Sequence, residues 1–290
     1  MKPAPFDYLV ARSVREAVSA LAERPSQALV LAGGQSLVLE MNYRRERPAL
    51  LVDINHVPDL DGIEVEGGEL RVGALARHRD FEEPVTRDPL GRLLERVSRH
   101  IAHPPIRARG TMVGSLAYAH PAAEWPAVAV ALDARLELDG PEGVRTVRAG
   151  EFFRGPFATA RRPGEMITGV RLPLLGEGSG AGFVELRRTG ASFALVAALA
   201  AITVEGGVIT SSRIALAGAA DRPLRARGAE EALAGNPPSD ETFAEAERRA
   251  ALEADPVPEP HAGVEYRRHA AGVLVRRALE RAVEDLEVNS

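Results

Sequence analysis

Two short glycine-bearing segments constrain this chain most: Ala32-Gly33-Gly34-Gln35-Ser36-Leu37 and Thr111-Met112-Val113-Gly114-Ser115-Leu116. Each adjoins an apolar run and offers closely spaced backbone N–H groups with little side-chain bulk. Glycine tolerates left-handed backbone angles and has no Cβ, so a main chain built this way approaches a phosphate closely. Two such turns in one chain can hold the two phosphates of a single dinucleotide from opposite sides. The first turn lacks the Lys-Ser/Thr ending of a P-loop, which argues against ATP hydrolysis.

Composition removes other classes. The formal charge of −5 lacks the basic surplus of a nucleic-acid binder. No apolar stretch is long and charge-free enough to span a bilayer. The segment Met1-Lys2-Pro3-Ala4-Pro5-Phe6-Asp7 lacks the apolar core of a secretion signal, so a cytoplasmic location is expected. There is no cysteine, hence no disulfide, no thiolate catalysis and no cysteine-ligated iron–sulfur cluster within the chain. No histidine stands in a metal-ligand spacing such as H-E-x-x-H, and neither a catalytic triad nor a metal cluster is expected. Redox work by this chain requires an organic cofactor.

At 290 residues, two domains are expected. Ser13-Val14-Arg15-Glu16 fits a capping box ahead of a helix, and Pro25 ends that helix. Ala28–Leu31 and Leu50–Ile54 read as buried strands, with a helical stretch from Leu37 to Asn42 between them. Residues 63–72 alternate around Gly67-Gly68 as a hairpin. Asp88-Pro89 opens a helix carrying Leu93, Leu94, Val97 and Ile101, stopped by His103-Pro104-Pro105. Pro121–Leu132 reads as helix and Ala134–Leu138 as strand. The run Gly176-Glu177-Gly178-Ser179-Gly180-Ala181-Gly182 reads as a linker, since it fits no nucleotide-loop spacing. Beyond it, a hairpin around Gly206-Gly207 precedes helices over Ser239–Ala254 and Glu265–Leu286, an α+β pattern. Trp125 is expected in the core. His120 reads as a polar loop residue. Arg44, Arg45 and Arg47 read as a solvated loop, and the arginine pairs 187–188, 267–268 and 276–277 as exposed or interfacial.

The second glycine turn lies in Ile106-Arg107-Ala108-Arg109-Gly110-Thr111-Met112-Val113-Gly114-Ser115, followed by His120-Pro121-Ala122-Ala123-Glu124-Trp125-Pro126. This resembles the I-R-N-x-G-T-x-G-G-(N/S) and D-P-x-x-(D/E)-x-P signature of flavoprotein subunits in the molybdenum hydroxylase family. That group includes the medium subunit of carbon monoxide dehydrogenase and the flavin domain of xanthine dehydrogenase. The A-G-G-Q-S-L turn matches the family's other flavin motif. Asp53-Ile54 with Leu60-Asp61-Gly62-Ile63, then Leu70–Leu75, Val264–Arg268 and Arg276–Leu279, match further family segments in the same order.

The resemblance implies an α+β chain: an FAD-binding domain of the vanillyl-alcohol-oxidase type over residues 1–175, with two α/β subdomains of about 1–55 and 56–175. A linker at 176–182 and a smaller α+β domain at 183–290 would follow. It implies FAD contacts at Val30, Leu31, Ala32, Gly33, Gly34, Gln35, Ser36, Leu37, Thr111, Val113, Gly114 and Ser115 for the pyrophosphate. Further contacts would come from Glu124, Ile101, Ile167 and Phe193. Glu124 would accept hydrogen bonds from ribose hydroxyls of the adenosine part, and Phe193 would cover the flavin. The chain departs from the pattern at Ala108, Val113 and His120, and Glu185–Ser192 lacks the family's lysine and G-D pair. The implied partners are a small [2Fe–2S] subunit, a large molybdenum–pterin subunit and a terminal acceptor: quinone, oxygen or NAD. Two other readings remain at this stage: a stand-alone flavin oxidoreductase, which would be reduced by substrate without partners, and a cofactor-free structural subunit, which would bind no FAD.

Overall fold

The computed structural model describes residues 2–288. The chain begins with a three-stranded parallel sheet, order β1-β3-β2, formed by β1 (Asp7–Val10), β2 (Ala28–Leu31) and β3 (Leu50–Asp53). Helix α1 (Val14–Glu23) makes the crossover between β1 and β2. Ser13 caps it by accepting from the Glu16 N–H at 3.1 Å, and Glu16 reaches back to the Arg12 N–H at 2.7 Å. The central strand β3 is buried at every residue, as parallel strands covered on both faces require. The first glycine turn leaves the carboxyl end of β2 and enters α2 (Leu37–Asn42). Carboxyl ends of parallel strands are where open α/β sheets place their ligands.

The second unit is a five-stranded sheet, order β4-β5-β10-β6-β7, comprising β4 (Ile63–Glu66), β5 (Glu69–Gly73), β6 (Arg135–Gly140), β7 (Gly143–Arg148) and β10 (Met166–Pro173). Every pairing in it is antiparallel. Between β5 and β6 run α3 (Pro89–His100), α4 (Pro104–Arg107), α5 (Met112–Tyr118) and α6 (Glu124–Ala131). The short α7 (Ala149–Phe152), β8 (Phe153–Gly155) and β9 (Ala158–Thr159) precede β10. Helix was expected from Pro121, but α6 starts at Glu124: the Ala123 N–H bonds to the His120 carbonyl in a turn. Trp125 is buried in the core as expected.

The C-terminal part is a sheet in the order β11-β12-β13-β14, with β11 (Ser179–Arg187), β12 (Ala194–Glu205), β13 (Val208–Ala217) and β14 (Leu224–Arg225). It is covered by α8 (Arg227–Leu233) and α10 (Val264–Glu287), with α9 (Asp240–Glu253) packed on both helices. Strand β12 is buried on both faces. Val196, Ala198, Ala200 and Ile202 join a core with α10, whereas Ala197, Leu199 and Ala201 join the core of the preceding sheets.

The expected linker is a correction. Ser179–Gly182 belong to β11 and are buried. A Cβ on Gly180 would lie 2.1 Å from the Ala282 carbonyl, and one on Gly182 2.1 Å from the Ala278 carbonyl. These glycines let strand and helix backbones touch, so residues 179–182 are a packing surface, whereas 176–178 form an exposed turn between β10 and β11. Arg267 is a second correction: instead of lying exposed it is buried, donating to the carbonyls of Leu195, Val257 and Gly218.

Candidate functional site

The two glycine turns meet. A Cβ on Gly33 would lie 2.3 Å from the Arg109 carbonyl oxygen and 2.7 Å from the Gly110 Cα, both backbone atoms. Only glycine allows this approach. Gly34 has φ of +73°, the left-handed conformation that turns the chain into α2. Behind the contact, Asn55 donates to the Ala32 carbonyl at 2.9 Å and accepts from Arg77 at 2.7 Å, while Arg77 also donates to the Arg109 carbonyl. The Arg77 and Thr111 backbones pair antiparallel, and the His78 N–H donates to the Gly110 carbonyl at 2.9 Å. Tyr118 of α5 donates to Glu40 of α2 at 3.0 Å, tying together the two helices that follow the turns.

Among the described residues, the backbone N–H groups of Gly34, Gln35, Ser36 and Val113 donate to no protein acceptor. Thr111 caps α5 by accepting from the Gly114 N–H at 2.9 Å. A Cβ on Gly114 would lie 2.6 Å from that hydroxyl oxygen, so glycine preserves the cap. Val113, which departs from the family pattern, buries its side chain in the core and leaves its N–H free. Two guanidinium groups flank the contact: burial and then the Arg109 charge push the Arg77 guanidinium down from its ordinary value. Free N–H groups on two touching turns beside paired cations suit a pyrophosphate.

The remaining expected residues come from several elements. Val30 and Leu31 lie half-buried in β2, below the first turn, and Ser36 and Leu37 begin α2 without a side-chain cap. Ile167 is buried in β10, next to a register shift against β6, and α5 packs on β10. Ile101, at the end of α3, is buried with its carbonyl held by Arg107. Phe193, exposed on the loop between β11 and β12, stacks on His120 with ring centroids 3.8 Å apart and planes 6° apart. His120 lies in the loop between α5 and α6, and its ring also joins an aromatic cluster with Tyr118 and Phe157. Burial drives its pKa down to about 4.

Glu124 is buried at the start of α6. Burial, and then the charge of Glu185, push its carboxyl up to about 8. Glu185, on β11, has a fully enclosed side chain whose two oxygens receive no hydrogen bond. His100 Nδ1 lies 3.4 Å from it and Arg187 Nη1 4.0 Å. Beneath the second turn, Trp125 donates to His78 Nδ1 at 2.9 Å. Burial, then Arg107 and Arg77, hold this histidine neutral, with its pKa down to about 4. The network of Asn55, Arg77 and His78 carries no sequence signal of its own, apart from Asn55 following the Asp53-Ile54 motif.

Free N–H groups on two touching turns beside two guanidinium groups are the chemistry of a phosphate-binding site, and the comparisons show which class of protein carries it. Residues 4–175 match the family described as the FAD binding domain in molybdopterin dehydrogenase, and residues 181–282 match the CO dehydrogenase flavoprotein C-terminal domain. The alpha subunit of the 6-hydroxypseudooxynicotine dehydrogenase complex of Paenarthrobacter nicotinovorans is 39% identical, covering 98% of this chain and 96% of that protein. The carbon monoxide dehydrogenase medium chain of Hydrogenophaga pseudoflava is 34% identical over 97% of this chain and 98% of its own. A structure of the carbon monoxide dehydrogenase of that organism superposes with a TM-score of 0.95 at 35% identity, covering 98% of this chain and 99% of that one. The chain belongs to the FAD-binding medium subunits of the molybdenum hydroxylase family, an oxidoreductase family whose members bind FAD. Its α+β fold, an FAD-binding domain followed by a C-terminal domain, is theirs.

Proposed function

We propose that this chain is the flavin-bearing electron-transfer subunit of a multi-subunit molybdenum hydroxylase and works in the cytoplasm. The observation that carries the reading is the backbone contact of Gly33 with Arg109 and Gly110, which makes one anion cradle of two turns. Bound FAD would supply the redox chemistry, taking electrons singly from a [2Fe–2S] partner subunit fed by a molybdenum–pterin subunit and giving pairs to quinone, oxygen or NAD.

The chain's own residues position and enclose. Free N–H groups at Gly34, Gln35, Ser36 and Val113 would face the pyrophosphate, with Arg77 and Arg109 balancing its charge. The hydroxyl and backbone of Thr111, with Gly114 and Ser115, shape the second half of the cradle. Neutral Glu124 offers an O–H as well as an acceptor oxygen. Ile101 and Ile167 supply apolar surface for a ring system, and Phe193 with His120 supplies a stacking face. The first-domain limits of 1–175 are part of this proposal; the C-terminal domain begins with β11 at Ser179 rather than at 183.

The test is to purify the chain, titrate it with FAD and record its visible spectrum and fluorescence. Binding with a flavin spectrum is expected, together with co-purification of iron- and molybdenum-containing chains from the native host. No measurable FAD affinity, with or without those chains, would refute the reading. Reduction of bound flavin by a small substrate in the absence of partners would favour a stand-alone oxidoreductase instead.

A further inference from the structure

Partly buried arginines elsewhere in this chain meet a carboxylate directly: Arg107 pairs with Glu82, Arg145 with Glu165 and Arg225 with Glu230. Arg77 is different. It is half-buried, yet among the described residues no carboxylate forms an ion pair with its guanidinium. Asp80 accepts from the Arg77 backbone N–H at 2.7 Å and pairs with the Arg79 side chain at 3.7 Å. The charges that Arg77 feels are those of Arg109 and Arg79, opposed by Asp80 and Asp53.

An amide stands between Arg77 and the buried acid behind it. Asp53 ends the central strand β3, and its carboxylate accepts from the Tyr8 hydroxyl, from the Asn55 N–H at 2.8 Å and from Asn55 Nδ2 at 2.6 Å. Burial alone would raise this carboxyl, but those bonds hold it below its ordinary value. Asn55 Nδ2 also donates to the Ala32 carbonyl at 2.9 Å. Both partners of Nδ2 can only accept, so the amide oxygen must face the other way, where Arg77 Nη2 donates to it at 2.7 Å. Arg77 Nη1 donates to the Arg109 carbonyl. One amide thus holds the first turn directly and the second through Arg77. A carboxylate in its place would orient the guanidinium equally well but cancel much of its charge. The amide fixes position and carries no net charge, so Arg77 stays a cation beside Arg109. An anion bound at the turns relieves the repulsion between the two.

We infer that Asn55 is a positioning residue for the diphosphate of the cofactor, holding Arg77 across both glycine turns while leaving its charge unneutralised, with Asp53 and Tyr8 fixing Asn55 in turn. This rests on the flavin reading above.

The test uses the full chain stripped of flavin, as wild type, Asn55→Ala, Asn55→Asp, Arg77→Gln and the double variant Asn55→Ala with Arg77→Gln. Dissociation constants for FAD are measured at low and high potassium chloride, below the melting temperature of every variant. Asn55→Ser takes the place of Asn55→Ala where the latter does not fold. Arg77→Gln should weaken FAD about 10–100-fold and Asn55→Ala about tenfold. The double variant should lie within about threefold of Arg77→Gln alone, because Asn55 acts through the guanidinium. Asn55→Asp should bind more weakly than Asn55→Ala, because its carboxylate neutralises Arg77. Its affinity should also fall less steeply with salt than that of the wild type. A spacer with a merely structural role would give the reverse order, since aspartate preserves the shape that alanine removes. Fully additive losses in the double variant, or tighter binding by Asn55→Asp than by Asn55→Ala, overturn the inference while wild-type binding keeps the flavin reading intact. Failure of the wild type itself to bind FAD removes both.

Discussion

Replacing Gly33 by alanine tests the convergence of the two turns directly. The added Cβ would lie 2.3 Å from the Arg109 carbonyl oxygen and 2.7 Å from the Gly110 Cα, against an ordinary contact near about 3.5 Å. Both obstacles are backbone, so no side-chain rotation relieves them and the turns must part by roughly 1 Å. Overpacking of this kind costs about 1–3 kcal/mol of stability. It also separates the free N–H groups of Gly34–Ser36 from that of Val113, so a ligand held by both turns loses one or two charge-assisted hydrogen bonds, about 1.5–3 kcal/mol each. The expected loss of FAD affinity is on the order of 100-fold. Gly34→Ala is the matched comparison. Its left-handed φ costs roughly 1–2 kcal/mol, but its Cβ meets only the Leu31 and Val38 side chains, at 3.2 and 3.3 Å. It should lose less than about tenfold in affinity. The assay is fluorescence titration with FAD alongside thermal melts. Wild-type FAD affinity in Gly33→Ala would refute the joint cradle, even if stability fell.

Three further outcomes follow from the packing and the charges. A carboxyl raised to about 8 in the folded chain stays protonated while the unfolded chain ionises above about 4.5, so Glu124 makes stability fall as pH rises from about 4.5 to 8 and level off above. Glu124→Gln in the empty chain should therefore match wild type near pH 4 and exceed it by roughly 2–4 kcal/mol at pH 8; urea midpoints showing the same difference at both pH values would contradict this. Gly182→Ala pushes a Cβ to within 2.1 Å of the Ala278 carbonyl, and should cost about 1–3 kcal/mol while FAD affinity changes less than about threefold. Asp285→Ala strands Arg92 and Arg96 of α3 and should cost about 2–4 kcal/mol, read as a lower melting temperature. Asp285 is held below the usual carboxylate range because its arginine and Ala181 bonds outweigh burial. Its contribution is thus present at neutral pH and lost as pH falls through the acid range.

Much of the local structure is legible in the chain because it depends on near neighbours. The Ser13 cap, the Gly67-Gly68 and Gly206-Gly207 hairpins, the helix opened by Asp88-Pro89 and the two glycine turns all lie where spacing and backbone preference put them. The ordered motifs around those turns were enough to place the chain in its family. The misreadings share one cause, that composition does not reveal what packs against a segment. Gly180 and Gly182 are glycines because α10 lies against them, not because the chain is loose there. Arg267 is buried because three carbonyls converge on it.

What the sequence determined by itself is the backbone vocabulary: which segments turn, which alternate, and which residues can offer free N–H groups to a phosphate. Only the tertiary structure decided that Gly33 touches Arg109 and Gly110, that the Val113 side chain faces inward while its N–H remains available, and that Glu185 is sealed beside His100. The first set follows from the conformational limits of a residue and its immediate neighbours. The second joins residues tens of positions apart in the chain, so it exists only once the sheets and helices that carry them have packed together.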